Sequence, residues 1–263
     1  MAIENFKPTL WEGALIANFH ENSIIEGMTT KPSDVKGNKI IFNRVGAGKL
    51  KDYTGTIAWD EISTSPIEMT FTQKKYFAFA VDDVDKVQLK ADVMKATTAE
   101  HGAVIAETID SYVLGKAITG AGVKLKSVEL TNKNAYDTIV DLGTALSKNK
   151  VPKSDRYVIV DSEVLGLLSK DTRFTANPDI LANGVVSNAK INGMTVISSE
   201  EIGGKNIVCM HKSAMGFAKQ IDEVEAMRLQ TSFSDGIRGL TVYDCVVLRK
   251  EAIATIPYTF PVA

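Results

Sequence analysis

The sequence predicts an α+β protein, and three observations support that fold class. Residues 36–81 are rich in β-branched residues and contain an alternating apolar pattern, which is typical of long strands. From residue 82 apolar residues recur every three or four positions to about residue 118, which predicts one long helix. Residues 128–218 then alternate short helical and strand-like patterns, which indicates a compact α+β unit.

The composition excludes several broad classes of protein. The chain has 263 residues, 44% of them hydrophobic, so it can bury a sizeable core. Its formal net charge of -2, with both signs interspersed, excludes a basic field over the whole surface of the kind that binds nucleic acid tightly. Cys209 and Cys245 lie in apolar, strand-like runs, and we expect both to be small buried hydrophobes, which suits a reducing compartment. The sequence contains no leader-like segment and no apolar run of membrane-spanning length, so we expect a soluble protein of cytoplasmic origin.

The first 35 residues are predicted to form an arm. Pro8 and Thr9 open a short helical pattern, and Pro32 and Gly37 interrupt the chain after it. The apolar positions of this pattern have helical spacing, and they are Leu10, Trp11, Ala14, Leu15 and Phe19. Such a stripe needs a covering surface, which is either the core of its own chain, the default interpretation, or another subunit.

Residues 36–81 predict a large β-hairpin. A strand over residues 39–45 leads into a polar, glycine-bearing stretch, and a return strand follows over residues 67–81. The interior of the return strand, from Thr72 to Lys75, is polar on both faces, which a strand buried in its own domain tolerates poorly. We therefore expect this hairpin to project from the body of the protein.

The long helix is predicted to begin at Asp82 and Asp83, which offer capping groups and negative charge to its N-terminus. If it were continuous to about residue 118, it would be on the order of 55 Å long. Its apolar residues do not form a coiled-coil seam. Gly120 and Gly122 are predicted to end it.

The remaining elements are shorter and alternate in type. A tail marked by Pro257 and Pro261 is predicted to follow the last of them. In chain order they are a helix over 134–148, a strand over 157–160, a helix over 162–169, strands over 190–197 and 206–210, and extended segments over 224–229 and 239–248.

The stretch from Val45 to Asp52 looks like a phosphate-binding loop, but two of the required parts are missing. Asn43 stands where the first glycine of the pattern belongs, and Leu50 replaces the hydroxyl residue that binds magnesium. Nucleotide binding at Gly46 to Lys49 is therefore a remote alternative.

Other signatures of catalysis are also absent from the sequence. The histidines His20, His101 and His211 are too widely spaced for a metal motif, and no serine nucleophile elbow occurs. The pair Glu100 and His101 could act as an acid–base unit, but a solvated helix surface is the preferred interpretation. The sequence thus predicts no catalytic residue, no cofactor and no metal, and a protein that is not an enzyme.

Packing and turn patterns between residues 155 and 252 match those of a known family, in the family's order. The segments are Asp155 to Asp161 with Leu165, Leu167 and Leu168, then 170–174, 183–185 with 191–196, 207–218, and 236–243 leading to Val247, Leu248 and Ala252. In these segments and in its order of elements, the chain resembles the major capsid proteins of tailed double-stranded DNA bacteriophages, which share the Hong Kong 97-like fold.

The resemblance implies a shell subunit with five parts. They are an N-terminal arm (1–35), an extended loop over a neighbouring subunit (36–81), a peripheral domain with a spine helix (82–127), an axial domain (128–218), and return strands of the peripheral domain with a C-terminal tail (219–263). It also implies hexamers and pentamers of the chain in an icosahedral shell around packaged double-stranded DNA, which is contacted non-specifically. A separate scaffolding protein and a portal protein are the implied partners, no membrane is involved, and the virion capsid is assembled in the host cytoplasm.

Several residues are candidates for contacts between subunits. Lys49 and Lys51 are expected to form salt bridges with acidic residues of the neighbouring subunit. The full set is Leu10, Trp11, Leu15, Phe19, Lys49, Lys51, Tyr53, Trp59, Lys74, Lys75 and Arg238.

The resemblance also bears on covalent cross-linking between subunits and on an alternative kind of shell. In some members a loop lysine forms an isopeptide bond with an asparagine near the final strands, assisted by a glutamate. The corresponding stretch here, Asp235 to Gly239, contains no asparagine, and the strand after it offers Asp244 without a matching glutamate, so we do not expect a covalent cross-link. An alternative within the same fold is an encapsulin, a bacterial shell that holds cargo enzymes.

Overall fold

The computed structural model of the protein describes residues 23–32, 34–36, 39–45, 52, 64–82, 91–175, 190–228 and 234–261. Its helices are α1 (Ile25–Met28), α2 (Ala91–Gly120), α3 (Ala135–Lys148), α4 (Ser162–Ser169) and α5 (Thr172–Thr175). Its strands are β1 (Asp34–Lys36), β2 (Lys39–Val45), β3 (Thr64–Thr70), β4 (Gln73–Asp82), β5 (Val123–Lys124), β6 (Val128–Glu129), β7 (Arg156–Val160), β8 (Lys190–Ile191), β9 (Met194–Ser198), β10 (Asn206–His211), β11 (Met215–Arg228), β12 (Ser234–Val247) and β13 (Ile253–Thr259).

The predicted hairpin is present, but its return strand is shorter than expected. Strand β3 pairs antiparallel with β2 from Thr70 to Thr64, and β1 pairs with the other edge of β2. The prediction of one continuous return strand over residues 67–81 was wrong, because the chain leaves the hairpin at Phe71 and Thr72. Strand β4 then joins a second sheet, whose order is β11-β12-β4. The polar residues Lys74 and Lys75 are exposed on opposite faces of β4, which is an edge strand of that sheet.

The predicted start of the long helix falls outside the described residues. Asp82 is the last residue of β4, residues 83–90 lie outside the described residues, and the capping roles of Asp82 and Asp83 stay predictions. Helix α2 is described from Ala91, ends at Gly120 as predicted, and at 30 residues is about 45 Å long.

The seven-stranded sheet lies between α2 and α3. Its order is β5-β13-β10-β7-β9-β8, with β6 pairing with β13, and both parallel and antiparallel pairs occur. Along β10, Ile207 and Cys209 belong to the apolar cluster under α3, whereas Val208 and Met210 belong to the cluster under α2. This alternation places one helix on each face of the sheet.

The predicted tail is instead an interior strand. Strand β13 pairs with β10 on one side and with β5 and β6 on the other, and most of its side chains are buried. The sequence pattern was misleading because proline is disfavoured in a central strand. Pro257 is tolerated because it falls between the residues that pair with β5 and those that pair with β6.

Both cysteines are buried, as the sequence predicts. Cys209 and Cys245 lie in β10 and β12 with at most 2% of their surface exposed. Burial raises the pKa of each thiol to about 12. They therefore behave as small apolar residues.

Candidate subunit interface

The base of the hairpin is fixed to the β11-β12-β4 sheet by an apolar cluster. Ile40, Phe42, Met69 and Phe71 pack against Ala218 and Val242. Gly216 allows this close packing, because a Cβ atom at that position would lie 2.5 Å from the Phe42 ring. The hairpin therefore leaves the body at a defined place rather than through a free linker.

A buried carboxylate holds the corner between β3 and β4. Asp244, on β12, is 2% exposed. Its Oδ2 accepts hydrogen bonds from the Thr72 main-chain N–H (3.1 Å) and hydroxyl (2.6 Å). Its Oδ1 accepts from the Tyr112 hydroxyl (3.0 Å), the Lys116 ammonium (2.9 Å) and the Cys245 main-chain N–H (2.7 Å). One side chain thus connects the hairpin corner, helix α2 and strand β12.

The pKa values of this group show that the carboxylate is ionised. Burial acts to raise the pKa of Asp244, but the hydrogen bonds from Thr72, Lys116, Cys245 and Tyr112 outweigh it and lower that pKa below its ordinary value. Burial acts to lower the pKa of Lys116, but its contacts with Tyr112 and Asp244 raise it overall. The pair is therefore charged across the physiological pH range.

The sheet presents exposed residues beyond the base of the hairpin. Tyr76, on β4, is 81% exposed. Lys74 lies on the same face of β4 as Tyr76, and Arg238 joins them because it pairs with Ala78 in the ladder. Three groups suited to contact with a neighbour, two of them predicted from the sequence, therefore share one face.

The opposite face of β4 forms a groove with helix α2. Lys75, Phe77, His101 and Val104 line this groove, whose volume is about 220 Å³. The His101 ring stacks on Phe79 with centroids 5.0 Å apart, so the interpretation of His101 as solvated surface was wrong. It packs between a helix and a sheet, whereas the neighbouring Glu100 is exposed.

Residues 23–30, which we call the strap, cross helix α2 and strand β11. Asp110, on α2, is 5% exposed and accepts hydrogen bonds from the Ser23 hydroxyl (2.9 Å) and the Ile24 main-chain N–H (3.2 Å). Burial raises the pKa of Asp110 to about 6, against the opposing effect of the hydrogen bonds. The strap therefore depends on a carboxylate that burial disfavours in its charged form.

Two further contacts hold the strap. The Glu26 carboxylate forms an ion pair with Lys219 of β11, and burial lowers the pKa of Lys219 despite that pair. The Thr30 main-chain N–H donates to the Met215 carbonyl oxygen at 2.9 Å. A cavity of about 350 Å³ lies beside these contacts, between the strap, Phe71 and β11.

Three of the eleven predicted contact residues lie within the described residues. Lys74, Lys75 and Arg238 are described and exposed. The others lie outside the described residues, as does the glycine-bearing stretch 46–51, and they are Leu10, Trp11, Leu15, Phe19, Lys49, Lys51, Tyr53 and Trp59. Their roles in subunit contact stay predictions.

Features of other functional classes are absent from the part of the chain that the structure describes. No group of three or more His, Cys, Asp or Glu side chains there could hold a metal ion. Among the described helices, none combines the length and apolarity needed to cross a membrane.

Sequence reasoning missed the two buried carboxylates and the exposed tyrosine. A weak signal existed for Asp110 and Asp244, since each interrupts an apolar pattern at a position that points into the protein. No such signal marks Tyr76, because alternation alone does not show which face of a strand stays uncovered.

Comparison with known proteins identifies the family. A family model described as phage capsid protein matches residues 67–256, which is more than two thirds of the chain. The chain belongs to the phage capsid protein family. No curated protein matches the sequence.

Solved structures agree with the assignment of this chain to the phage capsid protein family. A structure from Mycobacterium phage Che8 is 27% identical, with a TM-score of 0.67, over 90% of this chain and 87% of that chain. The capsid of cyanophage P-SCSP1u is 17% identical, with a TM-score of 0.71, over 91% of this chain and 89% of that chain. A virus-like particle from Pyrococcus furiosus is 12% identical, with a TM-score of 0.63, over 97% of this chain and 100% of that chain.

These matches confirm the predicted Hong Kong 97-like fold. They also confirm that the protein is a structural subunit that assembles into a phage capsid shell. Its buried carboxylates and exposed sheet face are therefore features of a shell component.

Proposed function

We propose that this capsid protein assembles as hexamers and pentamers into an icosahedral shell that encloses a double-stranded DNA genome, without catalytic activity of its own. The family match over residues 67–256 carries the proposal. A separate scaffolding protein and a portal protein are its proposed partners, and assembly takes place in the host cytoplasm.

The proposal assigns a part in the shell to each segment. The hairpin and the arm contact neighbouring subunits, because both are expected to project from the body and a projecting segment gains burial where another surface covers it. The β11-β12-β4 sheet and α2 form the peripheral domain. The seven-stranded sheet forms the axial domain, and it includes β13 rather than ending before it.

The exposed face around Tyr76 supports a subunit contact at the peripheral domain. A tyrosine that is 81% exposed, together with Lys74 and Arg238, offers an aromatic anchor beside charged groups. Tyrosine and arginine are enriched in the centre of protein interfaces, whereas lysine suits the polar rim.

Electron microscopy of the purified protein tests the proposal. We expect closed icosahedral shells, with pentamers at the vertices and hexamers on the faces. A discrete small oligomer under conditions that favour assembly would overturn it. Nucleic acid that is protected from nuclease inside native particles distinguishes a genome shell from an encapsulin, which would hold cargo enzymes instead.

The predicted role of Lys49 and Lys51 has its own test. The Lys49→Glu/Lys51→Glu variant should fail to form shells, or form shells of lower stability, because it reverses the charges proposed to meet acidic groups of the neighbour. The isolated subunit should keep its circular dichroism spectrum. Shells that match the unmodified protein in yield and in melting temperature would remove these lysines from the interface.

A further inference from the structure

Three chain segments meet beyond the C-terminal end of helix α3, and we call this surface the basic corner. It comprises residues 148–155, 211–213 and 248–251. The Lys212 main-chain N–H donates to the Asp155 carbonyl oxygen at 3.0 Å, which joins the first two segments. The Asn149 side-chain amide donates to the Glu251 carbonyl oxygen at 3.1 Å, which joins the first and the third.

The basic corner concentrates positive charge in an otherwise acidic chain. It contains two acidic side chains, Asp155 and Glu251, against six basic ones, a formal charge of +4. Because the whole chain carries -2, the remaining residues carry -6. All six basic side chains are exposed, and they are Lys148, Lys150, Lys153, Lys212, Arg249 and Lys250.

A buried guanidinium adds charge beneath this surface. Arg156 is 1% exposed and donates to four uncharged acceptors, three of them main-chain carbonyl oxygens. The fourth acceptor is the Ser147 hydroxyl, at 3.0 Å. Since these partners are neutral, the charge of Arg156 adds to the positive potential of the corner.

The backbone of the corner is strained at two residues that are not glycine. Lys150 has φ 59° and Asp155 has φ 51°, in the left-handed region that favours glycine. Lys150 follows the C-terminal end of α3, where glycine is the usual residue. A glycine at position 150 would relieve the strain but would carry no charge. The lysine found there keeps a positive charge at the corner.

We propose that the basic corner binds the phosphate backbone of double-stranded DNA inside the shell. This inference rests on the proposed function, since it requires that the shell enclose DNA. Duplex DNA carries one negative charge for about every 1.7 Å of its axis, so a compact group of exposed cations meets several phosphates at once. The rest of the chain, with its net negative charge, repels the duplex, which favours contact at this corner.

The chemistry of the corner fits contact without sequence preference. Five of its six cations are lysines, which act as flexible point charges, and only Arg249 could form the bidentate contact that reads a guanine. We therefore expect binding that depends strongly on salt and little on base sequence.

Fluorescence anisotropy with full-length, unassembled subunits and a short duplex of random sequence tests the inference. The Lys150→Gln/Lys153→Gln/Lys212→Gln variant should bind more weakly. For this variant, the slope of log affinity against log salt concentration, measured between about 50 and 200 mM, should be smaller in magnitude by about two to three. Each lost phosphate contact removes about 0.9 from the slope.

A matched control removes the same charge elsewhere. Lys133, Lys170 and Lys205 are exposed in the axial domain; Lys133 lies before the N-terminal end of α3, about 20 Å from the corner, and Lys205 precedes β10, whose opposite end reaches the corner. The Lys133→Gln/Lys170→Gln/Lys205→Gln variant should keep the salt slope of the unmodified protein.

A second variant separates lost charge from lost folding. Lys150→Gly removes one cation and relieves the left-handed strain, so it should lower the slope by about one while the melting temperature stays the same or rises. Weaker binding with a lower melting temperature in both corner variants would count as unfolding and would overturn the inference.

The remaining outcomes separate this inference from the proposed function. Equal salt slopes for the corner and control variants would overturn the DNA contact while leaving the shell intact. Loss of shells in the corner variant alone, with unchanged DNA affinity, would assign the corner to a contact with a second copy and would also overturn it. Failure of the unmodified protein to form shells would instead refute the proposed function.

Discussion

Replacing Asp110 by asparagine should make the stability of this capsid protein less dependent on pH. Asp110 is buried under the strap, where it accepts hydrogen bonds from Ser23 and Ile24. An asparagine oxygen can accept from the Ile24 N–H, and its amide can donate to the Ser23 hydroxyl, which is able to rotate. The substitution therefore keeps both contacts and removes the buried charge.

The magnitude follows from the pKa. Burial raises the pKa of Asp110 from 3.8 to about 6, and each pKa unit corresponds to about 1.4 kcal/mol, so the protonated form is favoured by about 3 kcal/mol in the folded state. Between pH 3.8 and about 6 the folded state holds a proton that the unfolded state has lost. This contribution to stability is full at pH values below 3.8 and is lost as the pH rises through about 6.

Urea unfolding of the unassembled subunit at several pH values between 4 and 7.5, followed by circular dichroism, measures the effect. The free energy of unfolding of Asp110→Asn, minus that of the unmodified protein, should rise by about 2 to 2.5 kcal/mol between pH 4 and 7, most of the full effect. The exposed Asp141→Asn is the control and should give a flat difference. A flat difference for Asp110→Asn, or a loss of more than about 1 kcal/mol at pH 7, would refute the role assigned to Asp110.

Other substitutions test the packing described above. Asp244→Asn should lower the free energy of unfolding by about 2–4 kcal/mol, since an amide cannot accept hydrogen bonds at both the Oδ1 and Oδ2 positions. A change within about 0.5 kcal/mol, as expected for the exposed control Asp141→Asn, would contradict the hydrogen-bond network. Gly216→Ala should cost about 1–3 kcal/mol and speed hydrogen exchange over residues 39–45, because its Cβ would lie 2.5 Å from the Phe42 ring; unchanged exchange would exclude that contact. Gly166→Ala, in helix α4 with nothing within 4 Å of the added Cβ, should raise the free energy of unfolding by about 0.5–1 kcal/mol, and a loss would show that the helix is constrained there.

Local pattern was sufficient where an element is determined by its own residues. Helix α3 repeats apolar residues at helical spacing and is found within one residue of its predicted limits. Strand β7 and helix α4 were likewise predicted from local pattern, and the structure adds that the Asp161 side chain caps α4 by accepting from the Val164 N–H. The end of α2 at Gly120 followed from the same local logic.

Pattern failed where a partner distant in sequence decides the structure. The residues of β4 look like a continuation of the hairpin, and only their pairing with β12 assigns them to another sheet. Pro257 suggested a tail because proline is disfavoured in central strands. It is tolerated in β13 only because the pairing with β5 ends before it and the pairing with β6 begins after it, which the local sequence does not show. The candidate site shows the same limit, since Asp244 gains its role from Thr72 and from helix α2, which no local sequence pattern connects.

The position of β13 has a consequence for how the subunit folds during synthesis. Val123 pairs with Ala254, about half the chain away, and β10 finds its second neighbour in the same late strand. A nascent chain that stops before residue 253 therefore leaves the edges of β10 and β5 open, with apolar residues on both faces exposed to other chains. Because pairs so distant in sequence form slowly, completion of this sheet is a late event that separates finished subunits from truncated ones before any shell can grow.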